Sequence, residues 1–275
     1  MLEEKKKLNI RFIEGNKVSI NPPDKTLKLT GTRLAGILGM NEFTTPFQVW
    51  AEVCKVYKPP FIDNKYTIAG KAIEPKQAEY VREKYGLGDN LLSPKDVFGK
   101  NYFKDTHGDF YKDTEVFGGM WDYLYKKNEV VNTVLEMKTA QEKYMDKWVK
   151  HFDRDIGVPF NYLLQGGLYA YLSKVDNIVF VATFLKPEDY DNPNEFVVND
   201  INTKLVSVKM SKQLPRFEID YIKPAIDWWN RYVATGKSPS YDPANKDDMI
   251  IVENLQLQKK IEEGSEQLKI EGYFW

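Results

Sequence analysis

The sequence predicts an α/β fold in which a small mixed β-sheet is flanked by helices. Three observations predict it. Residues 120–125 (MWDYLY) and 130–139 (VVNTVLEMKT) read as two strand arms around the polar Lys126-Lys127-Asn128-Glu129, a hairpin pattern. FNYLLQGGLYAYLSK at 160–174 has helical spacing, and the β-branched run NIVFVATFL at 177–185 behind it reads as a buried strand. Ahead of the hairpin, Thr45-Pro46 and the stretch 65–86, closing on Gly86, carry helix start and stop signals.

Composition sets wide bounds. The chain has 275 residues, 42% of them hydrophobic and 14% aromatic, enough for a sizeable core. Lys+Arg total 39 and Asp+Glu 40, a net charge of −1, so no global charge points to nucleic acid; a local basic groove is still compatible. The single cysteine, Cys54, excludes an internal disulfide and a cysteine-held cluster within one chain. The chain has no apolar run of about 18 residues and no signal-peptide core, so a soluble, cytoplasmic protein without a membrane partner is expected.

In order, residues 1–28 offer short β-like pieces at 8–12 and 18–20, then a turn at Asn21-Pro22-Pro23-Asp24. Thr30 or Thr32 can cap a helix over 33–38 that stops at Gly39. Its N–H groups, with Arg33, Lys25 and Lys28 near in sequence, suit a phosphate seat, although taken alone the stretch is better read as an ordinary capped surface helix. Thr45 caps a helix from Phe47 to Val56. In the helix over 65–86, Ile68, Ala72, Tyr80, Val81 and Tyr85 make an apolar stripe, and Pro75 should bend it beside Glu74. Residues 91–115 read as a polar loop or hairpin edge; His107 among Asp105, Asp109 and Asp113 has no metal-ligand spacing. Residues 139–152 are helix or loop, with His151 on the surface. In the 160–174 helix, Tyr162, Gln165 and Tyr169 share a face, and Gly166-Gly167 suit close approach of another backbone or a ligand. Asp191–Glu195 is a turn, 195–208 supplies edge strands, and 217–234 is an amphipathic helix kinked at Pro224. Gly236-Lys237-Ser238-Pro239 should end the compact region, giving a main domain over 1–240 and a helical tail over 241–275, capped near Asp247 or Asp248.

The chemistry concentrates on the hairpin. Strand side chains alternate, so Glu136 and Lys138 share a face with Val134, and Asp122 can come opposite them from the first arm. Two like charges about 4 Å apart repel by roughly 4 kcal/mol at an effective dielectric near 20, so such carboxylates want a cation between them. Hard oxygen ligands suit Mg²⁺ or Mn²⁺, and a lysine beside them can hold a water or stabilise a phosphate. Taken alone, the Glu-x-Lys triplet is better read as ordinary surface charges on an exposed hairpin, because such triplets are common by chance.

The ordered set Glu74, Asp122, Glu136-Met137-Lys138 and Gln165-x-x-x-Tyr169 resembles the PD-(D/E)XK (restriction-endonuclease-like) nuclease core, closest to the lambda-exonuclease and YqaJ-like viral recombinase family. The pieces TGTRLAGILG (30–39), WAEVC (50–54), GKAIEP (70–75), GMWD (119–122), LEMK (135–138) and YLLQ (162–165) carry the resemblance over residues 25–240. The proline of the family's name is missing before Asp122. The resemblance implies that Asp122, Glu136, the Met137 carbonyl and Glu74 hold Mg²⁺, with Mn²⁺ as the alternative. It implies that Lys138 activates water, that Gln165 and Tyr169 support it, and that Thr32 with Arg33 or Lys25 receives a DNA 5′-phosphate. A 5′→3′ exonuclease on double-stranded DNA ends is implied, leaving a 3′ single strand for an annealing protein in phage-type recombination in a bacterial host. A homo-oligomeric ring, a trimer among its forms, is implied as well. An endonuclease on the same fold and a non-catalytic DNA-end-binding protein are the alternatives.

Overall fold

The computed structural model describes residues 7–60, 63–149 and 157–263. Its elements in chain order are β1 (Arg11–Ile13), β2 (Lys17–Ser19), α1 (Gly31–Ile37), α2 (Pro46–Val53), α3 (Lys65–Lys84), β3 (Leu91–Leu92), α4 (Pro94–Phe98), α5 (Tyr102–Thr106), β4 (Tyr123–Lys127) and β5 (Val130–Gln141). They continue with α6 (Met145–Val149), α7 (Phe160–Ser173), β6 (Asn177–Leu185), β7 (Thr203–Lys209), α8 (Met210–Gln213), α9 (Lys223–Trp228) and α10 (Lys246–Glu262). The described residues divide into two compact units: those within 7–28, 36–60 and 222–263 form one, and those within 29–35, 63–149 and 157–221 form the other.

The second unit holds the expected mixed sheet, in the order β3-β4-β5-β6-β7. Asn128 and Glu129 both take positive φ (52° and 62°), the conformation of a two-residue hairpin turn whose twist matches that of the strands. The turn is therefore shorter than its four polar residues suggest, and Lys126 and Lys127 belong to β4. β5 and β6 run parallel from Thr133↔Asn177 to Gln141↔Leu185, which requires a crossover, and α7 supplies it. β4, β7 and β3 are antiparallel to their neighbours.

Helices cover both faces of this sheet. On one, Ala78 and Val81 of α3 pack on Leu91, Tyr123, Leu135, Met137 and Val181. On the other, Gly166 of α7 lies so close to Phe180 and Ile178 that a Cβ there would stand 2.7 Å from the Phe180 ring. Gly167 meets Phe217 in the same way, at 2.5 Å, so both glycines serve close approach as their sequence suggested. Phe180 pairs with Glu136 and Ile178 with Val134, so Glu136 sits on the α7 side of the sheet.

Several boundaries differ from the sequence reading. The buried stripe of α3 is Ala69, Ile73, Gln77, Ala78 and Val81, while Ile68 and Tyr85 are exposed. The predicted stripe followed hydrophobicity and so passed over Gln77, whose buried Nε2 donates to acceptors on β5 and β6. α3 runs through Pro75 unbroken and starts from a capping box between Asn64 and Thr67. Residues 91–106 are not a loop: Leu91–Leu92 add the edge strand, and two five-residue helices follow. Helices this short carry no readable periodicity. Residues 195–202 are irregular, and only 203–209 form a strand. His151 lies outside the described residues.

In the first unit, β1 and β2 form a hairpin. Thr45 caps α2 as expected, accepting from the Gln48 N–H, but α2 ends at Val53 rather than Val56. Gly236–Pro239 does not end the packed chain. Buried Ser238 donates its N–H to the Val18 carbonyl and accepts the Val18 N–H on its hydroxyl. The run 218–233, whose first four residues still belong to the second unit, alternates π-helical turns with α9. Asn245, not Asp247 or Asp248, caps α10. Asp248 is buried and accepts hydrogen bonds from Thr45, Gln48 and the Asp242 N–H.

Candidate active site

The cleft that matters lies within the second unit. It has a volume of about 200 Å³ and is lined by Gly70, Glu74 and Gln77 of α3, by Asp122, by Met137, Lys138 and Thr139 of β5, and by Tyr162 of α7. Asp122 sits just ahead of β4, one step beyond the Tyr123↔Leu135 pair, and its Oδ2 accepts the Met137 N–H at 2.7 Å. Strand pairing thus places Asp122 against the Glu136–Lys138 stretch, as the alternation predicts.

Lys138 is the hub. Its Nζ donates to Glu136 Oε2 at 2.7 Å, stands 3.6 Å from Asp122 Oδ2, and lies 5.5 Å from the centre of the Tyr162 ring. Burial acts to lower the Lys138 pKa, but the Glu136 and Asp122 carboxylates outweigh it and hold the ammonium charged well above its ordinary range. Glu136 is fully buried, and burial pushes its carboxyl upward, with Asp122 and Glu74 adding to the push and Lys138 opposing it. Glu74 is pushed up to about 7 by burial first and by the Asp122 charge second.

Whether these residues suit a cation is tested by one atom. Glu136 Oε1 is buried and has no hydrogen-bond partner. An unsatisfied buried acceptor costs about 1–3 kcal/mol. An acceptor-only carboxylate oxygen in that position calls for a cation or a donor. The carboxylates of Glu74, Asp122 and Glu136 and the Met137 carbonyl offer hard oxygen donors, the type that Mg²⁺ or Mn²⁺ takes. Among the described residues no group of three or more acidic, His or Cys side chains converges as a complete ligand set. The Lys138 ammonium stands between Glu136 and Asp122.

The remaining predicted residues are placed as follows. Tyr169 is buried; its hydroxyl takes a hydrogen bond from the Gly31 backbone, and the nearby Glu136 and Asp122 charges add to burial in raising its pKa. Gly119 (φ 128°) passes so close to that hydroxyl that a Cβ would stand 2.7 Å away, which explains the glycine in GMWD. Gln165 is half-buried beside Gly31, with its Cγ 2.5 Å from where a Gly31 Cβ would be, and the cleft is lined without it. Thr32 is exposed and Arg33 half-buried, both within α1 rather than at a capping position, whereas the Thr30 carbonyl accepts the Leu34 N–H. Lys25 is exposed and belongs to the first unit.

Two residues of this site have no assigned role in the sequence reading. Gln77 donates from its Nε2 toward the Lys138 and Val181 carbonyls and Thr183 Oγ1, all at 2.9 Å, fixing α3 to β5 and β6 beside the cleft. The signal for it was a glutamine on the buried side of a helix, three residues after Glu74. Tyr162 shares its helix face with Gln165 and Tyr169, but only the fold puts its ring beside Lys138. His107 and its acidic neighbours form no site: Asp109 accepts the Gly119 and Tyr111 N–H groups and so braces the turn leading to Asp122.

The raised carboxyls make the fold pH-sensitive when no metal is present. A carboxyl whose folded pKa exceeds its ordinary 4.5 contributes stability that is fully present below about 4.5 and is lost as pH rises through the folded value, about 7 for Glu74. The melting temperature in EDTA is therefore expected to be lower at pH 8 than at pH 5.5, with a smaller drop in Glu74→Gln. A melting temperature that climbs over that range in the native protein would contradict the burial assigned to these groups.

Comparison with known proteins bears on this geometry. The model of the YqaJ-like viral recombinase domain matches residues 23–176. The uncharacterized protein MG373 of Mycoplasma genitalium is 32% identical, with 77% of this chain and 83% of that protein covered. Its Mycoplasma pneumoniae homolog is 29% identical with the same coverage. Among solved structures, a phage-related exonuclease from Haemophilus somnus 129PT superposes with a TM-score of 0.50 at 15% identity, over 83% of this chain and 96% of that one. That likeness is one of fold.

Proposed function

The chain belongs to the YqaJ-like viral recombinase domain family, and from that premise we propose that it is a divalent-metal-dependent deoxyribonuclease working at the cleft of Asp122, Glu136, Lys138 and Glu74. The observation that carries this reading is the buried, unpartnered Glu136 Oε1 beside a charged lysine and two further carboxylates. Purely structural carboxylates would be paired off or left in water.

Asp122, Glu136, Glu74 and the Met137 carbonyl would hold the cation. When bound, it would supply charge neutralisation at the scissile phosphate and a more acidic water. Lys138 keeps its proton, because two carboxylates face it, and so presents positive charge to a phosphate and a donor to water. The Tyr162 ring covers one side of the Lys138 ammonium, and Gln77 fixes the strand that carries it. Tyr169 and Gly31 tie α7 to the start of α1.

In its finer form the reading is a 5′→3′ exonuclease on duplex ends that leaves a 3′ single strand for an annealing protein, as a homo-oligomeric ring. No helix among the described residues is long and apolar enough to cross a membrane. Linear duplex labelled at either strand end, incubated with Mg²⁺ or EDTA beside a closed circle, tests it. The expected result is metal-dependent loss from 5′ ends with the circle intact. A cut circle would favour an endonuclease; tight end binding without cleavage would favour a non-catalytic end-binding protein. Thr32 and Arg33 are proposed to receive the 5′-phosphate, with Lys25 as a further cation. Thr32→Ala with Arg33→Ala is expected to reduce the preference for 5′-phosphorylated over 5′-hydroxyl ends several-fold, and an unchanged preference removes both residues from that role.

A further inference from the structure

The segment between β3 and Asp122 exposes large apolar side chains. Phe103 is 62% exposed, Val97 44% and Phe98 36%, all on α4 and α5. The Phe103 ring lies against Gly108, 3.5 Å from where a Cβ would sit, so it rests on backbone with its other side open. Phe98 is stacked on Phe110 (4.6 Å between centres, 30° between planes). Phe110 meets Trp121 at 4.9 Å, and Trp121 is buried directly before Asp122. A column of rings therefore leads from the surface to the residue preceding a candidate metal ligand.

The same segment carries exposed Lys95, Lys100 and Lys104. Asp96 accepts the Ser93 N–H and hydroxyl, and Asp109 accepts the Gly119 and Tyr111 N–H groups, while Asp105, Asp113 and Glu115 are exposed, so the unbalanced positive charge is confined to residues 95–104. Exposed rings interleaved with lysines match one ligand chemistry, a polyanion that offers flat apolar faces. Unpaired bases on a phosphate backbone have that character, whereas in duplex DNA the base faces are hidden.

We propose that α4 and α5 form a platform for an unpaired DNA strand, stacking a base on Phe103 and holding phosphates with Lys100 and Lys104. The inference rests on the nuclease reading for its place in the reaction: the platform would hold single-stranded DNA next to the cleft.

The test is binding of a labelled oligothymidine to the full chain in EDTA, followed by fluorescence anisotropy, with a duplex of equal length alongside. Phe103→Ala is expected to weaken single-strand binding about fivefold or more, as loss of one stacked base would. Phe103→Trp should retain it, and Ile201→Ala, which alters an 82% exposed residue elsewhere in the second unit, should leave it unchanged. The Lys100→Ala, Lys104→Ala double variant should flatten the plot of log K against log salt by about 1.4, at roughly 0.7 per single-strand phosphate contact. Binding by Phe103→Ala equal to the native protein's, or equal losses on single strand and duplex, would overturn the platform. The two readings fail separately. Strand binding that depends on Phe103 without Mg²⁺-dependent cleavage would sink the nuclease and leave the platform standing. Normal cleavage with Phe103-independent binding would do the reverse.

Discussion

Glu136→Gln is expected to abolish metal-dependent DNA cleavage without weakening the metal-free fold. Glu136 is fully buried, its Oε1 has no hydrogen-bond partner, and burial favours its neutral form. The amide is close to the carboxyl in shape, removes a buried charge, and leaves Lys138 the Asp122 carboxylate at 3.6 Å. In EDTA at pH 8 the variant should melt no lower than the native protein. It should also lose the rise in melting temperature that Mg²⁺ or Mn²⁺ gives the native chain, because the cation stabilises only a form that binds it. The cleavage rate should fall by at least about 10²–10³-fold, the scale on which removing one transition-state-stabilising group acts. Full activity in Glu136→Gln would displace the site. A lower melting point in EDTA would mean that the carboxylate has a structural role instead.

Lys138→Met should show the opposite combination. It keeps the apolar length of the side chain beside Tyr162 but removes the charge that faces Glu136 and Asp122. Breaking a buried ion pair from one side costs about 3–5 kcal/mol, because the remaining charge stays buried. In EDTA at pH 8 the variant should therefore melt well below the native protein. Lower pH should narrow the gap by protonating Glu136 and Glu74. Added Mg²⁺ should recover part of the stability, since a cation between the carboxylates replaces the lost charge, yet cleavage should stay at least about 10²-fold down. DNA-end binding should persist in both variants. A Lys138→Met protein that cuts at the native rate would remove the lysine from the chemistry.

The two variants differ because the site is built on opposing costs. Three carboxylates brought near one another in a partly dry cleft repel, and the native chain offsets this with a single ammonium. A protein selected for stability alone would have no reason to keep Glu136 buried with one oxygen unsatisfied. A conflict of this kind between local stability and the residues present is expected at a working site, which is the role proposed for this cleft.

Much of this was legible in the chain. Strand alternation around residues 120–139 determined that Glu136 and Lys138 share a face and that Asp122 comes opposite them, because side chains alternate at a period of two. Helical spacing and the Gly166-Gly167 pair determined that α7 packs closely, and the apolar run 177–185 determined β6. Capping chemistry at Thr45-Pro46 and Gly86 set the start of α2 and the end of α3. Short-range stereochemistry controls all of these features, so the sequence displays them directly.

Tertiary structure decided the rest. The burial of Gln77 in place of Ile68 depends on acceptors supplied by β5 and β6, 61 to 106 residues away along the chain. Tyr162 meets Lys138, and Tyr169 meets the Gly31 backbone, only because a parallel crossover lays α7 over β5. The inclusion of Gly236–Pro239 in the first unit and the role of Asp248 as a buried acceptor rather than a cap likewise rest on partners distant in sequence. Periodicity reports which face a residue occupies; the partner waiting on that face, and hence the pKa shifts and the unsatisfied oxygen at Glu136, exists only once distant segments are packed together.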